Sequence, residues 1–540
     1  MKRILMGLCL SAALVPTTAA RRPDPDRRIL DAMKQATHYM MDVASYRGGF
    51  VWSYLPDFSR SWGELEAKRT MAWIQPPGTP SVGHLMLDAY HATGDEYYYQ
   101  SAERIASALI WGQLPCGGWN YVFDFAGENS LKEWYATVGK SAWRLEEFQH
   151  YYGNATFDDA GTMEAAKFLL RIYVEKYDPA FRPALDKAIG LVLESQYPVG
   201  GWPQRYPLRY DHPFQGKADY SSFITLNDDV IPENIDFLIQ CYQALGMQNL
   251  KEPILRAMNC VIILQQGAPY AGWSDQYTVE DLQPAHARSY EPRGINTATT
   301  AHMVRTLMSY YRLTGDTKYL SGIPAALDFI ESMRLPDSEV QRWGRPSRDP
   351  DAILVPRFVD PEDGHPLYVH RKGSNVVNGT YYTDLDITHT IAHYNSTAYI
   401  NVRALREAYE AVLALSREKA TAGSPLVCNT EVRLEPYYHK PRPVYSGKDR
   451  GAGRKPSVDE LVGSLTAEGY WLSPIRQTSH PYRPVPAMEP SDATDYMQTM
   501  VGDEYDTSPY TPDEPVMGIS TQTFINNMAC LIGALRNKNR

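Results

Sequence analysis

Two groups of side chains in this 540-residue chain stand where they could do chemistry. Asn227, Asp228 and Asp229 come directly before Pro232 and Glu233, at the start of an amphipathic segment. Adjacent carboxylates beside an amide oxygen are hard donors of the kind calcium accepts. The same residues are also good helix caps, because a short side-chain oxygen accepts from the first free N–H groups of a helix. The arginines form the second group. Arg288 lies in Pro284-Ala285-His286-Ala287-Arg288-Ser289-Tyr290-Glu291-Pro292, and Arg357 follows Pro356 in a stretch that also holds Pro361 and Pro366. A surface ion pair is the ordinary fate of such an arginine. Arg357 has no helical period around it, which predicts a loop, and loops carry function.

The elements that must position these residues are repeated. Four segments, beginning at Leu85, Leu169, Leu238 and Leu307, share one plan: a helix, a turn such as Ala92-Thr93-Gly94-Asp95, a second helix and a loop. Apolar residues recur at helical spacing, as in Ile231, Ile235, Leu238, Cys241, Tyr242 and Leu245. No two-residue alternation is long enough to predict a substantial sheet. The expectation is an all-α fold, an incomplete α/α toroid of antiparallel helix pairs with an irregular, loop-rich C-terminal region. Gly117-Gly118-Trp119, Gly200-Gly201-Trp202 and Gly272-Trp273 fall at the same point of three repeats. Equivalent loops emerge on one face, so Trp119, Trp202 and Trp273 are expected around one concave mouth as substrate-binding residues.

Composition narrows the partners. The chain has 63 acidic and 53 basic side chains, a formal charge of −10, which excludes nucleic acid and an anionic membrane as natural partners. Residues 1–20 carry Lys2 and Arg3, an apolar run from Ile4 to Val15 and small residues to Ala20, the pattern of a secretory signal. The expected product is a monomer, secreted or periplasmic. Its expected divisions are 21–420 for the toroid, 421–515 for a loop-rich excursion and 516–540 for a helix packing back on the main domain. Beyond the signal, Cys116, Cys241, Cys260, Cys428 and Cys530 are too few and scattered for a disulfide framework or zinc cluster. A Cys428–Cys530 bridge stays open, and Cys241 and Cys260 read as core.

Four stretches occur in an order that resembles the family 10 polysaccharide lyases: Gly200-Gly201-Trp202-Pro203-Gln204, Ile224-Thr225-Leu226-Asn227-Asp228, Pro284 to Pro292, and Arg357-Phe358-Val359-Asp360 leading to Arg371. The resemblance implies a pectate lyase on an incomplete α/α toroid, with Ca2+ as cofactor and polygalacturonate or a related acidic polysaccharide as substrate. It implies Arg357 as catalytic base, Asp228 as metal ligand with Asp229 beside it, and Arg371 in the substrate cleft. Arg205 and Arg288 join Arg371 in a cationic wall expected to bind the polyanion, built partly by the long loop after Trp202.

The chain also departs from that pattern. Where relatives carry a metal-binding Asp, Trp273-Ser274-Asp275-Gln276-Tyr277-Thr278 has Thr278, and Asp275 is expected to serve instead. Arg205, Val359 and Lys372 also replace usual residues. Three other classes compete. Gln196 to Trp202 is similar to the repeat of triterpene cyclases, but Asn227-Asp228-Asp229 lacks their leading Asp. An α/α-barrel glycoside hydrolase for uronides would need a carboxyl acid instead of Arg357. A non-catalytic uronate-binding relative would bind without forming product.

Overall fold

The computed structural model describes residues 25–343, 347, 349–427, 456–475, 502–510 and 514–538. The expected signal segment, Cys428 with its possible bridge, and much of 421–515 lie outside these residues.

Helices come in pairs. After α1 (Pro25–Tyr39) come α2 (Thr79–Thr93) and α3 (Glu96–Gly112), then a short α4 (Glu128–Thr137). The pairs continue with α5 (Gly161–Lys176) and α6 (Arg182–Glu194), α7 (Val230–Leu245) and α8 (Lys251–Ile263), and α9 (Thr297–Thr314) and α10 (Ile323–Ser332). All four predicted pairs are present. Their turns use the expected chemistry: Gly94, Gly246 and Gly315 end α2, α7 and α9 in the left-handed conformation, and Asp95 caps α3 by accepting from Tyr97 N.

Burial sorts the helices into layers. α2 is buried without a break from Thr79 to Ala89 and α5 from Gly161 to Ile172, whereas α6 and α8 bury a stripe. A helix covered all round belongs to an inner layer. Accordingly α2 packs on α5 and α5 on α7, while α3, α6 and α8 each pack on their partners. The inner side chains include Leu169, Leu238 and Leu307, each at most 1 % exposed. Burying each contributes about 1.5–3 kcal/mol. The chain continues through α11 (Asp337–Trp343), α12 (Val402–Leu413), α13 (Arg417–Ala420) and α14 (Val458–Gly463) to α15 (Thr521–Lys538). α15 lies against α1 and α2, and α12 against α9 and α10. The architecture is an incomplete α/α toroid with small sheets. Among the described residues the longest strand, Pro366–Lys372, has seven residues and pairs with Thr380–Asp384. Among the described residues no helix is long and apolar enough to cross a membrane.

The three glycine-tryptophan loops correct an expectation. Trp119, Trp202 and Trp273 line no cleft; all three are completely buried. Each indole N–H donates back to the end of the preceding outer helix, to the carbonyls of Leu109, Val192 and Val261 at 2.8, 2.8 and 2.7 Å. Each Trp carbonyl then accepts from the residue that leads into the next inner helix, namely Thr156, Thr225 and Asn296. A Cβ at Gly118, Gly201 or Gly272 would stand 2.4–2.6 Å from a neighbouring side chain, so only glycine admits this approach. An indole with its N–H paired gains more from the core than from a wet rim. The recurrent loops therefore fix where the inner helices begin.

Candidate active site

That placement matters because the site forms where inner helices start. α5 and α7 are entered through the same turn: Asp159 and Ala160 have φ of 52° and 56°, Asp228 and Asp229 have 51° and 58°. The left-handed conformation costs a non-glycine residue about 1–2 kcal/mol and persists where the surroundings impose it. It also aims the carboxylates away from capping positions. Neither helix has a side-chain cap bond, which rules out the plain capping role for Asp228 and Asp229.

Asp158, Asp159 and Asp228 instead meet one another, each offering a carboxylate oxygen within 4.8 Å of the others. Tyr121 and Gln204 both donate to Asp158 Oδ2, the latter at 2.5 Å, and Gln75 donates to Asp159 at 2.7 Å. Asp158 Oδ1 is buried without a partner. Asp228 is the exposed member of the three and opens into a cleft. Enclosure, then the charges of Asp158 and Asp159, raise its pKa well above the ordinary range. Enclosure and Asp158 likewise raise Asp159, to about 7. Like charges this close repel one another unless a cation compensates them. Hard oxygens, mutual repulsion and an unpartnered carboxylate oxygen fit a divalent cation such as calcium.

The cluster differs from the ligand set expected from the sequence. Asp228 belongs to it, but Asp229 and Asp275 do not. Asp229 Oδ1 lies 2.9 Å from His302 Nε2, and that contact keeps its carboxyl below the ordinary range. Asp275 is 4 % exposed; it accepts from Asn296 Nδ2 at 2.9 and 3.0 Å and from Thr299 Oγ1 at 2.5 Å. Burial and nearby Glu291 raise its pKa, and these donors oppose them. Thr278 bonds to Asp281 and Gln283 within its own exposed turn. Asp158 and Asp159 went unnoticed in the sequence, yet a signal was there. Thr156-Phe157-Asp158-Asp159-Ala160 repeats Thr225-Leu226-Asn227-Asp228-Asp229.

The cleft has a volume of about 270 Å³, and Asp228, Asp229, Asp275, His302, Arg357 and Tyr394 help to line it. Arg357 sits between two short strands, Ile353–Pro356 and Phe358–Val359, and its carbonyl accepts from Thr297 N at the start of α9. Its Nε donates to the Asn395 carbonyl at 2.6 Å, and its guanidinium lies 4.9 Å from the Tyr394 ring centre. Tyr394 in turn donates to Glu291 at 2.9 Å.

The other arginines do not form the expected cationic wall. Arg288 donates twice to Glu291, at 2.9 and 2.8 Å, and lies 3.3 Å from Glu147. Arg205, 2 % exposed, is stacked between Tyr121 and Tyr152 and donates to Asn120. Arg371, also 2 % exposed, lies between Trp143 and Tyr381 and donates to the carbonyls of Gly373 and Asn375. The covering rings, and not a full set of hydrogen bonds, keep Arg205 and Arg371 from substrate, for Arg205 Nη2 is buried without a partner. Arg357 alone of the expected arginines lines this cleft.

Residues 124–389, which hold the carboxylate cluster and Arg357, match a family described as pectic acid lyase. The match spans 266 of the chain's 540 residues and makes the protein a polysaccharide lyase. The lyase is thus a polysaccharide-cleaving enzyme, and the match begins just after α3 and ends within the strand-rich part that follows Arg357. Among solved structures, a family 10 polysaccharide lyase from Cellvibrio cellulosa is 17% identical to it, with 62% of this chain and 98% of that one covered and a TM-score of 0.40. A mutant of the Cellvibrio cellulosa lyase in complex with trigalacturonic acid is 16% identical over 63% and 92%, TM-score 0.36. An α-1,6-mannanase from Salegentibacter is 13% identical over 58% and 71%, TM-score 0.32. No curated protein sequence matches the lyase.

Proposed function

We propose that the lyase is a calcium-dependent pectate lyase that cleaves polygalacturonate by β-elimination, with Arg357 as the base. The observation that carries this is a single cleft joining Arg357 to Asp228, a member of the three-carboxylate cluster, within the stretch that matches the pectic acid lyases. In polygalacturonate C5 is α to a carboxylate, and its proton leaves only if the developing enolate charge is offset. Asp158, Asp159 and Asp228 would hold the ion, and calcium bound there would supply that offset.

The chain's own residues do the rest. Asn395 and the Tyr394 ring fix the plane of the Arg357 guanidinium, so one face of the cleft presents a base in a set orientation. Arg357, transiently in its neutral form, takes the C5 proton and becomes the guanidinium cation, and the C5–H electron pair becomes the C4–C5 double bond. The C4–O bond breaks, and the departing oxygen keeps its electron pair and takes a proton from water. An arginine ordinarily titrates above about 12, so the rate should climb with pH into the alkaline range. Asp275, held by Asn296 and Thr299, keeps the neighbouring wall polar without adding a free ligand. The basic, apolar and small order of residues 1–20 supports export, outside the cell or to the periplasm.

The test is polygalacturonate with and without calcium, followed by ultraviolet absorbance of the unsaturated product. Chelator-sensitive absorbance is expected. New reducing ends without the chromophore would make the protein a hydrolase, and binding without either would make it a uronate-binding protein.

A further inference from the structure

Outer helices end, and inner helices begin, at one end of the toroid. Trp111, in the last turn of α3, therefore shares a face with Asp158 and Asp228, yet it lies outside the residues that match the family. It is 47 % exposed and does not stand alone. Its ring centre is 4.7 Å from that of Phe125, which is 5.7 Å from Tyr46. Arg47 lies 5.3 Å over Phe125, and Arg69 lies 5.8 Å over Tyr46.

Among the described residues neither arginine has a carboxylate partner, and Arg69 donates to the carbonyls of Val43 and Ser45. Nearby Asp42 is paired with Arg104 at 2.8 Å. The turn carrying Arg47 is docked rigidly: Gly48 has φ of 86°, and a Cβ there would stand 2.6 Å from the Arg104 carbonyl. Tyr46 and Gly49 bridge across it. In a chain of net charge −10, an aromatic shelf edged by guanidinium groups with no carboxylate partner among the described residues is a local exception. Flat rings suit the apolar face of a sugar, and a guanidinium fork suits a carboxylate.

We propose that Trp111, Phe125 and Arg47 form an auxiliary site for a uronate-bearing polysaccharide, separate from the cleft and on the same end of the toroid. The choice of polymer rests on the function proposed above. Its charge and its ring faces answer both halves of the shelf, whereas a neutral glycan or an apolar surface would leave Arg47 unmatched.

Affinity electrophoresis in gels containing polygalacturonate and a chelator, so that no cleavage occurs, tests this on the full chain. Trp111→Ala should raise the apparent dissociation constant about tenfold, and Arg47→Asn severalfold. Asn tolerates the left-handed φ of 53° at position 47, so that variant removes charge without adding strain. Wild-type retardation should vanish in 1 M salt, where the screening length falls to about 3 Å, and should be absent in neutral galactan. Wild-type retardation by both variants, with unfolding temperatures also unchanged, would overturn the site. So would equal retardation in galactan, or a dimer in sedimentation that Trp111→Ala dissociates. If retardation depends on Trp111 and Arg47 but no unsaturated product ever forms, the auxiliary site stands and the catalytic assignment falls. If product forms while both variants are retarded normally, the reverse holds.

Discussion

Asp159 and Asp228 occupy the same position of the same left-handed turn, φ 52° and 51°, ahead of successive inner helices, and their carboxylates lie within 4.8 Å of each other. Two repeats have thus been bent toward one point. Repulsion between like charges at that point is the physical reason to expect a cation there.

The ligand set follows from this pairing. Asp159→Asn and Asp228→Asn should each weaken calcium binding at least tenfold in calorimetry, while Asp275→Asn should change it less than threefold. Asp275 is committed to Asn296 and Thr299. A larger loss at Asp275 than at Asp159 would return the ion to the side of the cleft expected from the sequence.

Arg357→Lys should remove nearly all turnover with the unfolding temperature unchanged. Lysine keeps the charge but cannot donate through Nε to Asn395 while lying flat on Tyr394. Turnover above about a tenth of wild type, a barrier change under about 1.4 kcal/mol, would assign the base to another group.

Trp202→Phe should act on stability. The Val192 carbonyl loses its donor inside the core, at a cost of about 1–3 kcal/mol. Thermal unfolding should report it. Weakened polymer binding with unchanged unfolding would put Trp202 back at the mouth of the cleft.

Glu146 sets a pH dependence. Burial raises its pKa to about 7 from an ordinary 4.5, against the opposing Ser289 N–H. Between those values the folded state holds a proton that the unfolded state has lost, so stability falls as pH rises through this window. Glu146→Gln keeps an acceptor for Ser289 and removes the charge. It should stabilise the protein at pH 8 by on the order of 3 kcal/mol and have little effect at pH 4. Equal effects at both pH values would show that packing, and not ionisation, governs the site.

The helix pairs were legible in the sequence because their causes are local. Apolar spacing at Ile231, Ile235 and Leu238 and the turn residues Gly94, Asp95, Gly246 and Gly315 act within a few positions of themselves. The candidate residues Asp228 and Arg357 were legible through motif order, and the cleft does bring them together. Their surroundings were not. Whether an arginine faces substrate depends on what packs over it, and Arg205 and Arg371 are covered by aromatic rings far away in the chain.

The tryptophans show the same division. Their recurrence marks equivalent loops, a one-dimensional fact, but rim or core depends on the space beneath each loop, which closes only when Gly118, Gly201 and Gly272 press against the following inner helix entry. The sequence by itself determined the repeated helix pairs and the residue types available for chemistry. The tertiary structure alone decided which carboxylates meet, because a left-handed turn in each of two repeats carries Asp158, Asp159 and Asp228 to one point and leaves Asp229 facing His302.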